Sequence, residues 1–359
     1  GAYKCAAIAL LGLAVSILTP WFAYTDYRLL VDPVYPSFVI ILIYLTGSFI
    51  SFLRTESEKK YVRGAFSRYL SPDLVEKLAK EPDLLKLGGE TKEMTIMFSD
   101  IRGFTKISES MSASELTSFI NEYLTPMTDI ILHHNGTIDK YMGDAIMAFW
   151  NAPIDNPNHR KEASAAALDM MKGLQEFNMS LDEKSAADGK TRLPISIGIG
   201  INTGPCCVGN MGSDQRFDYS VLGDTANVAS RLEGQSKTYG VSIVVGEETV
   251  SFSPDFAWFE LDLIRVIGKD EPVRIFSLVG DSGITSEQWF LEASKAQDIF
   301  LDNYRNQRWD EAITALNKLE GFSEIDLSTL TSLYRDRISV YRDQDLGPDW
   351  DGVYSATSK

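Results

Sequence analysis

The sequence predicts an α/β domain set between two apolar N-terminal helices and an all-helical C-terminal region. Three observations carry this prediction: two charge-free stretches near the start, short apolar segments alternating with amphipathic ones from Glu93 to about Gly280, and helical periodicity alone beyond that point. With 44% hydrophobic and 23% charged residues over 359 positions, the chain has the composition of a folded protein, long enough for one large domain with appendages. A net charge of -16 sets aside nucleic acid as a partner, because duplex binding draws on clustered Lys and Arg. Cys5 lies in an apolar run and Cys206 and Cys207 are adjacent, which suggests no disulfide framework and fits a reducing compartment. His133, His134 and His159 lack metal-ligand spacing and are expected to be solvated or packed.

The chain opens on Gly1 rather than Met, so a fragment lacking its natural N-terminus is expected. Cys5 to Ala23 and Ser37 to Leu53 contain no charge and are each near the length of a bilayer core. Two membrane spans are expected, with a pair of buried core helices as the alternative; no cleavage-like site follows the first stretch. The loop Tyr24 to Pro36 carries only Arg28, balanced by Asp26 and Asp32, whereas Arg54, Lys59, Lys60, Arg63 and Arg68 crowd the far side of the second span. That asymmetry predicts a multi-pass protein of the inner (plasma) membrane, in contact with membrane lipid, with everything from Arg54 onward cytoplasmic. The expected divisions are spans over 1–53, a connecting signalling helix and linker over 54–86, the α/β domain over 87–280 and the helical region over 281–359.

Within the linker, Thr55 to Tyr69 reads as a charged helix, and "SPDLVEKLAK" as another with Ser71 as N-cap and Pro72 at its first position, ending before Pro82. Strands are expected at Met94–Ser99, Thr137–Met142, Ala145–Trp150, Ile195–Asn202, Cys206–Met211, Val241–Val245, Trp258–Ile264 and Val273–Leu278. Helices are expected over Ser114–His133, Arg160–Asn178 and Thr225–Tyr239. Past Gly280, two helices meeting around Asn306–Trp309 resemble one tetratricopeptide-like (TPR-like) pair, too little for a solenoid and so expected to dock as an appendage.

The chemistry begins in "MTIMFSDIRGFT", where an apolar strand ends on Asp100. "GTIDKYMGDAIMAFWN" reads as a hairpin with Asp144 at its tip, which a neighbouring strand ending in Asp100 would meet. Two adjoining carboxylates repel unless a divalent cation lies between them, and Mg²⁺ takes one or two carboxylates together with substrate phosphates. The acids therefore suit a nucleoside triphosphate. Gly103 in the turn Ile101 to Thr105 lets backbone N–H groups approach phosphate oxygens. In "RFDYSVLGDTANVASRLEGQSKTYG", Asn227 and Arg231 are four apart and share a helix face.

Together "FSDIRGFT", "KYMGDAIMAF" and "YSVLGDTANVASRLE", in this order and at these separations, resemble the class III adenylyl and guanylyl cyclase catalytic domain over about Leu87 to Val279. "FSRYLSPDLVEKLAKEPDLLKLGGETKEMTIMFSDIRGFT" and the terminal "DWDGVYSATSK" are also similar to bacterial membrane-bound adenylate cyclases whose N-terminal part, not in this chain, is an extracytoplasmic CHASE2 sensor. The resemblance implies a ferredoxin-like palm. It implies two divalent ions, Mg²⁺ or Mn²⁺, held by Asp100, Ile101 and Asp144. Lys140 matches the base-reading lysine and Ser220 its partner; guanylyl cyclases carry Glu at the Lys140 position. A lysine can donate to adenine N1 but not to guanine N1–H, so ATP is the expected substrate.

Asn227 and Arg231 match the residues that orient the ribose and stabilise the transition state. Lys269 matches a phosphate-binding lysine, although this chain has Ile267-Gly268-Lys269 where the family commonly has Lys-Gly-Lys; Arg216 would reach the terminal phosphates. The backbone turn through Ile101, Gly103, Phe104 and Thr105 would face the substrate phosphates. The implied reaction is attack of the ribose 3′-OH on the α-phosphorus, giving 3′,5′-cyclic AMP and pyrophosphate, at sites shared across a head-to-tail homodimer. No side chain in the motifs stands out as a general base. A guanylate cyclase and a catalytically silent nucleotide-binding module are the rival expectations.

Overall fold

The computed structural model describes residues 2–66, 87–187, 194–265, 271–347 and 350–355. The expected helix from Ser71, the end of the charged helix at Arg68 and Tyr69, and Lys269 lie outside these residues. The described chain falls into two compact units, Gly1–Val75 and Glu76–Lys359.

In the first unit, α1 covers Ala2–Tyr27 and α2 covers Val34–Phe66. The stretches Cys5–Tyr27 and Val34–Arg54 are long and apolar enough to cross a membrane. None of either window is buried, unlike the core helices that formed the alternative expectation. The two helices meet at Ser16 and Ser37, whose hydroxyl oxygens are 2.8 Å apart. Helix α2 continues without a break beyond Arg54, so the second apolar stretch and the charged segment after it form one rod.

The second unit is built on a mixed sheet in the order β2-β3-β1-β4-β6-β8-β7-β9, with β5 paired to β4 off that path. Its central strand β1, Gly88–Ile101, pairs antiparallel with β3, Ala145–Trp150, on one side and with β4 on the other. Successive β1 side chains enter different cores. Met94 and Ile96 join Phe149, Val208 and Ala229 on one face, while Met97 and Ile101 join Tyr123, Met127 and Met170 on the other. Burial on both faces is why Ile96, Met97 and Phe98 follow one another without a polar residue between them, rather than alternating.

Helix α3, Phe104–Glu109, follows β1; α4, Ala113–His133, opens with a capping box between Ser112 and Glu115, and α5, His159–Ala187, packs beside it. Between them β2, Thr137–Met142, and β3 form a hairpin closed by two residues, Gly143 and Asp144. Gly143 has φ 71°, the left-handed region that such a tight hairpin turn requires.

One expectation is corrected here, and one strand is added. The strands expected at Ile195–Asn202 and Cys206–Met211 form a single 17-residue strand β4, Ile197–Ser213. Its Pro205 lies where the pairing with β6, over Ile199–Ile201, has ended and the pairing with β5, from Cys207 onward, has not begun. Among the described residues no strand flanks it there, so its missing N–H breaks no ladder on that side. The added strand is β5, Arg216–Leu222, which the mixed polar pattern of "RFDYSVL" does not announce.

Helix α6, Asp224–Tyr239, leads to β6, Ile243–Gly246, the short α7, Glu247–Val250, and the strands β7, Ala257–Arg265, and β8, Val273–Gly280. The C-terminal helices are α8, Ser282–Thr285, α9, Gln288–Arg305, α10, Trp309–Leu319, and α11, Ser328–Tyr341; β9, Tyr354–Ser355, then adds in parallel to β7. The expected helix pair is thus joined by a third long helix. They share one apolar core with the sheet, in which Phe300, Tyr304, Leu316 and Tyr334 meet Leu232 and Tyr239 of α6 and Phe259 and Leu261 of β7.

A buried polar bolt crosses that core. Arg337 of α11 donates through Nη1 to Asp262 Oδ2 at 2.6 Å, and Tyr239, the last residue of α6, donates to the same oxygen at 2.6 Å. The Arg337 guanidinium also lies 3.5 Å above the Tyr354 ring. Both ions are almost fully buried, so removing one strands the other. Arg337→Met is therefore expected to destabilise the protein by roughly 3–5 kcal/mol, read as a fall in the urea midpoint. An unchanged midpoint would show that Asp262 finds another partner or takes up a proton.

Candidate active site

The acid pair forms as β1 ends against the hairpin tip. Ser99 pairs with Ile146, which brings Asp100 beside the turn that carries Asp144. The Ile101 N–H lies 3.0 Å from Asp100 Oδ1 and 3.1 Å from Asp144 Oδ2, so one backbone donor serves both carboxyls. Burial, and then the hydrogen bond to Asp100 and its charge, push the Asp144 carboxyl up to about 7. Two acids this close cannot both ionise easily without a cation. Their oxygen donors fit a hard divalent ion. Among the described residues no group of three or more His, Cys, Asp or Glu could hold a metal. A cation at this pair would thus draw further ligands from backbone, water or substrate phosphate, the usual habit of Mg²⁺.

The turn after Asp100 holds Gly103 at φ 70°, ψ 22° as the N-cap of α3, a conformation that disfavours a side chain. Phe104 and Thr105 begin that helix, and the Arg102 guanidinium donates to the carbonyl of Val241 across the sheet.

A second cluster gathers around Ser220. Lys140 Nζ donates to Ser220 Oγ at 3.4 Å, joining two residues that lie 80 positions apart in the chain. The same β2–β3 hairpin that presents Asp144 at its tip therefore also presents Lys140. Sequence reasoning missed a third member, Asp139, which accepts from Ser220 Oγ at 2.7 Å. Arg216 is not part of this cluster within the chain: it is exposed at the β4–β5 turn, four residues from Ser220 along β5, or about 13 Å of extended strand.

Asn227 and Arg231 sit on α6. Asn227 is exposed, and Arg231 is half-buried with an Nη1 that has no hydrogen-bond partner among the described residues. The opposite flank of α6 lies against β4, where Gly198 and Gly200 leave room for Glu233 and for the backbone of Ala229 and Glu233; a Cβ on either glycine would stand within 2.5 Å of them. Glu233 was not anticipated as a neighbour of the acids. Burial, and next the charge of Asp100, push its carboxyl up to about 7, with the Arg102 guanidinium acting the other way. Its position two residues after Arg231 puts it about 200° further round the helix, so only one of the two can face the acid pair.

Comparison with known proteins agrees with this geometry. The family of the adenylate and guanylate cyclase catalytic domain matches residues 88–280. An adenylate cyclase of Anabaena cylindrica is 40% identical over 229 residues, covering 62% of this chain and 43% of that protein. Adenylate cyclase 1 of Rhizobium meliloti is 33% identical over 216 residues, covering 60% of this chain and 32% of that protein. The chain thus spans less than half the length of these relatives. Among solved structures, a bacterial light-regulated adenylyl cyclase shares the fold at 21% identity with a TM-score of 0.53, covering 66% of each chain.

Proposed function

Because the chain belongs to the adenylate and guanylate cyclase catalytic-domain family, we propose that it is an adenylate cyclase, a phosphorus–oxygen lyase that converts ATP into 3′,5′-cyclic AMP and pyrophosphate. The observation that carries this reading is the β2–β3 hairpin, which sets Asp144 against Asp100 at its tip and Lys140 against Ser220 four residues earlier. One hairpin thus offers an acid pair for metal-bound phosphate and a cation for a base.

Asp100 and Asp144, with the backbone at Ile101, would hold Mg²⁺ or Mn²⁺. When bound, such ions brace the triphosphate and lower the pKa of the ribose 3′-OH. The turn from Ile101 through Gly103 to Phe104 and Thr105 is where backbone N–H groups would meet phosphate oxygens. Asn227 and Arg231, spaced one turn apart, would orient the ribose and face the negative charge that builds on the α-phosphorus. The unpartnered Nη1 of Arg231 supports a ligand-facing role. Lys269 and Arg216 would add positive charge toward the outer phosphates.

We assign the substrate-completing partner to a second copy of the chain in a head-to-tail homodimer. The two apolar helices would span the inner membrane in lipid, with the catalytic unit cytoplasmic as the Lys and Arg excess after Arg54 suggests, so that cyclic AMP is the output of a membrane signal. The deciding assay supplies ATP and GTP together with Mg²⁺ or Mn²⁺ and measures both cyclic products; nucleotide binding without pyrophosphate release would make the chain a silent module instead. Lys140→Glu with a matching change at Ser220 is expected to lower the ATP to GTP ratio of kcat/KM by about tenfold or more, since a carboxylate accepts from guanine N1–H and N2–H. An unchanged ratio would remove these residues from base reading.

A further inference from the structure

A regular strand turns consecutive side chains to opposite faces, so Asp139 and Lys140 should point apart. The β2–β3 ladder instead skips a residue: Ile138 faces Ala148 and Lys140 faces Met147, leaving Asp139 as the extra residue of a bulge. Bulges re-aim side chains in this way. Asp139 and Lys140 then converge on Ser220 of β5. Ser220 Oγ donates to Asp139 Oδ2 at 2.7 Å, Lys140 Nζ donates to Ser220 Oγ at 3.4 Å, and Asp139 Oδ1 stands 3.1 Å from Lys140 Nζ. The Asp139 side chain has 0% exposure and that of Lys140 45%, so the carboxylate is sealed behind the pair while the ammonium reaches outward.

A serine hydroxyl has one hydrogen and two lone pairs. Here the hydrogen goes to Asp139 and one lone pair takes the Lys140 ammonium, which leaves a single acceptor site on Ser220 beside the remaining N–H donors of Lys140. Donor next to acceptor matches the adenine edge, where N1 accepts and the N6 amino group donates. It opposes guanine, where N1–H donates and O6 accepts. We propose that Asp139 is a positioning residue that sets nucleotide specificity by fixing the polarity of the Ser220 hydroxyl. It touches Ser220 and Lys140 and acts on the base through them. The inference rests on the ATP reading above and adds to it the group that enforces the choice.

Asp139→Asn keeps the shape and reverses the polarity. The ammonium of Lys140 can only donate, so the new amide turns its carbonyl toward Lys140 and its NH₂ toward Ser220, which frees the hydroxyl hydrogen to donate into the pocket. For the full chain in detergent, the ATP to GTP ratio of kcat/KM is expected to fall by about tenfold or more, the size of a hydrogen bond exchanged for an opposed pair. Inosine triphosphate, which shares O6 and N1–H with guanine, should follow GTP. In a Ser220→Ala background the same substitution should leave the ratio within about twofold of that background's own, because no hydroxyl remains to turn. Asp139→Glu, which keeps an acceptor, should retain the preference for ATP even at reduced turnover. Equal losses with both nucleotides in Asp139→Asn, or a lost preference in Asp139→Glu, would overturn the inference and leave the ATP reading standing. A wild-type protein that prefers GTP would overturn both.

Discussion

Asp100→Ala and Asp144→Ala, each assayed as the full chain with Mg²⁺ or Mn²⁺, are expected to lose turnover of ATP by about three orders of magnitude while remaining folded. The loss follows from their position, since both carboxyls converge on one backbone N–H at the strand end and the hairpin tip. The retained fold follows from their electrostatics. In the metal-free protein the pair is a strain on the structure: burial and Asp100 together raise the Asp144 carboxyl from 3.8 to about 7. A carboxyl with a raised folded pKa keeps its proton longer when folded, so its contribution is most favourable below the unfolded value and is lost as the pH rises toward 7. A divalent ion offsets the repulsion above that range. Added Mn²⁺ should therefore raise the melting temperature more at pH 8 than at pH 5 in the wild type, and by less in either variant. Near wild-type turnover in either variant, or a metal-induced shift independent of pH, would remove the metal assignment from this pair.

How far the sequence could reach is clear from particular elements. The β2–β3 hairpin and α6 follow from local signals: a tight Gly-Asp turn followed by the apolar run of β3, and a narrow polar stripe ending at Gly240. Asp144 at a hairpin tip beside a strand ending in Asp100 was legible from the local pattern, whereas Lys140 beside Ser220 was legible only through the family pattern, because residues 80 positions apart meet by strand pairing that periodicity does not encode. The length of β4 was hidden by Thr-Gly-Pro, which reads as a turn in isolation and is tolerated only because the flanking strands change over at Pro205. Asp139 was invisible for a different reason. Ordinary strand alternation places it away from Lys140, and a bulge of one residue reverses that. The bond of Arg337 to Asp262 joins residues 75 positions apart across the C-terminal core, and nothing local to either predicts it.

Co-expression of Asp100→Ala with Arg231→Ala is expected to restore activity that neither variant has alone. The geometry of α6 is the reason. Its flank at Ala229 and Glu233 lies against Gly198 and Gly200 of β4, with Glu233 within the electrostatic reach of Asp100. Asn227 and Arg231 each precede those positions by two residues, about 200° round the helix, and so point away from the acids of their own chain. In the proposed head-to-tail homodimer, a phosphorus seated between Asp100 and Arg231 would take the acids of one protomer and the guanidinium of its partner. Each single variant would then lack one essential group in both sites of that proposed homodimer. In a mixed dimer both lesions fall in one site and the other is intact. Random pairing makes half of the dimers mixed, each with one working site, so total activity should recover to roughly a quarter of the wild type if the sites act independently. Separate tags on the two variants allow the mixed species to be isolated by two affinity steps, and that fraction should then show about half of the wild-type cyclic AMP rate per dimer. A doubly tagged dimer no more active than its parents would place Asp100 and Arg231 in the same site of one protomer, or take Arg231 out of the reaction.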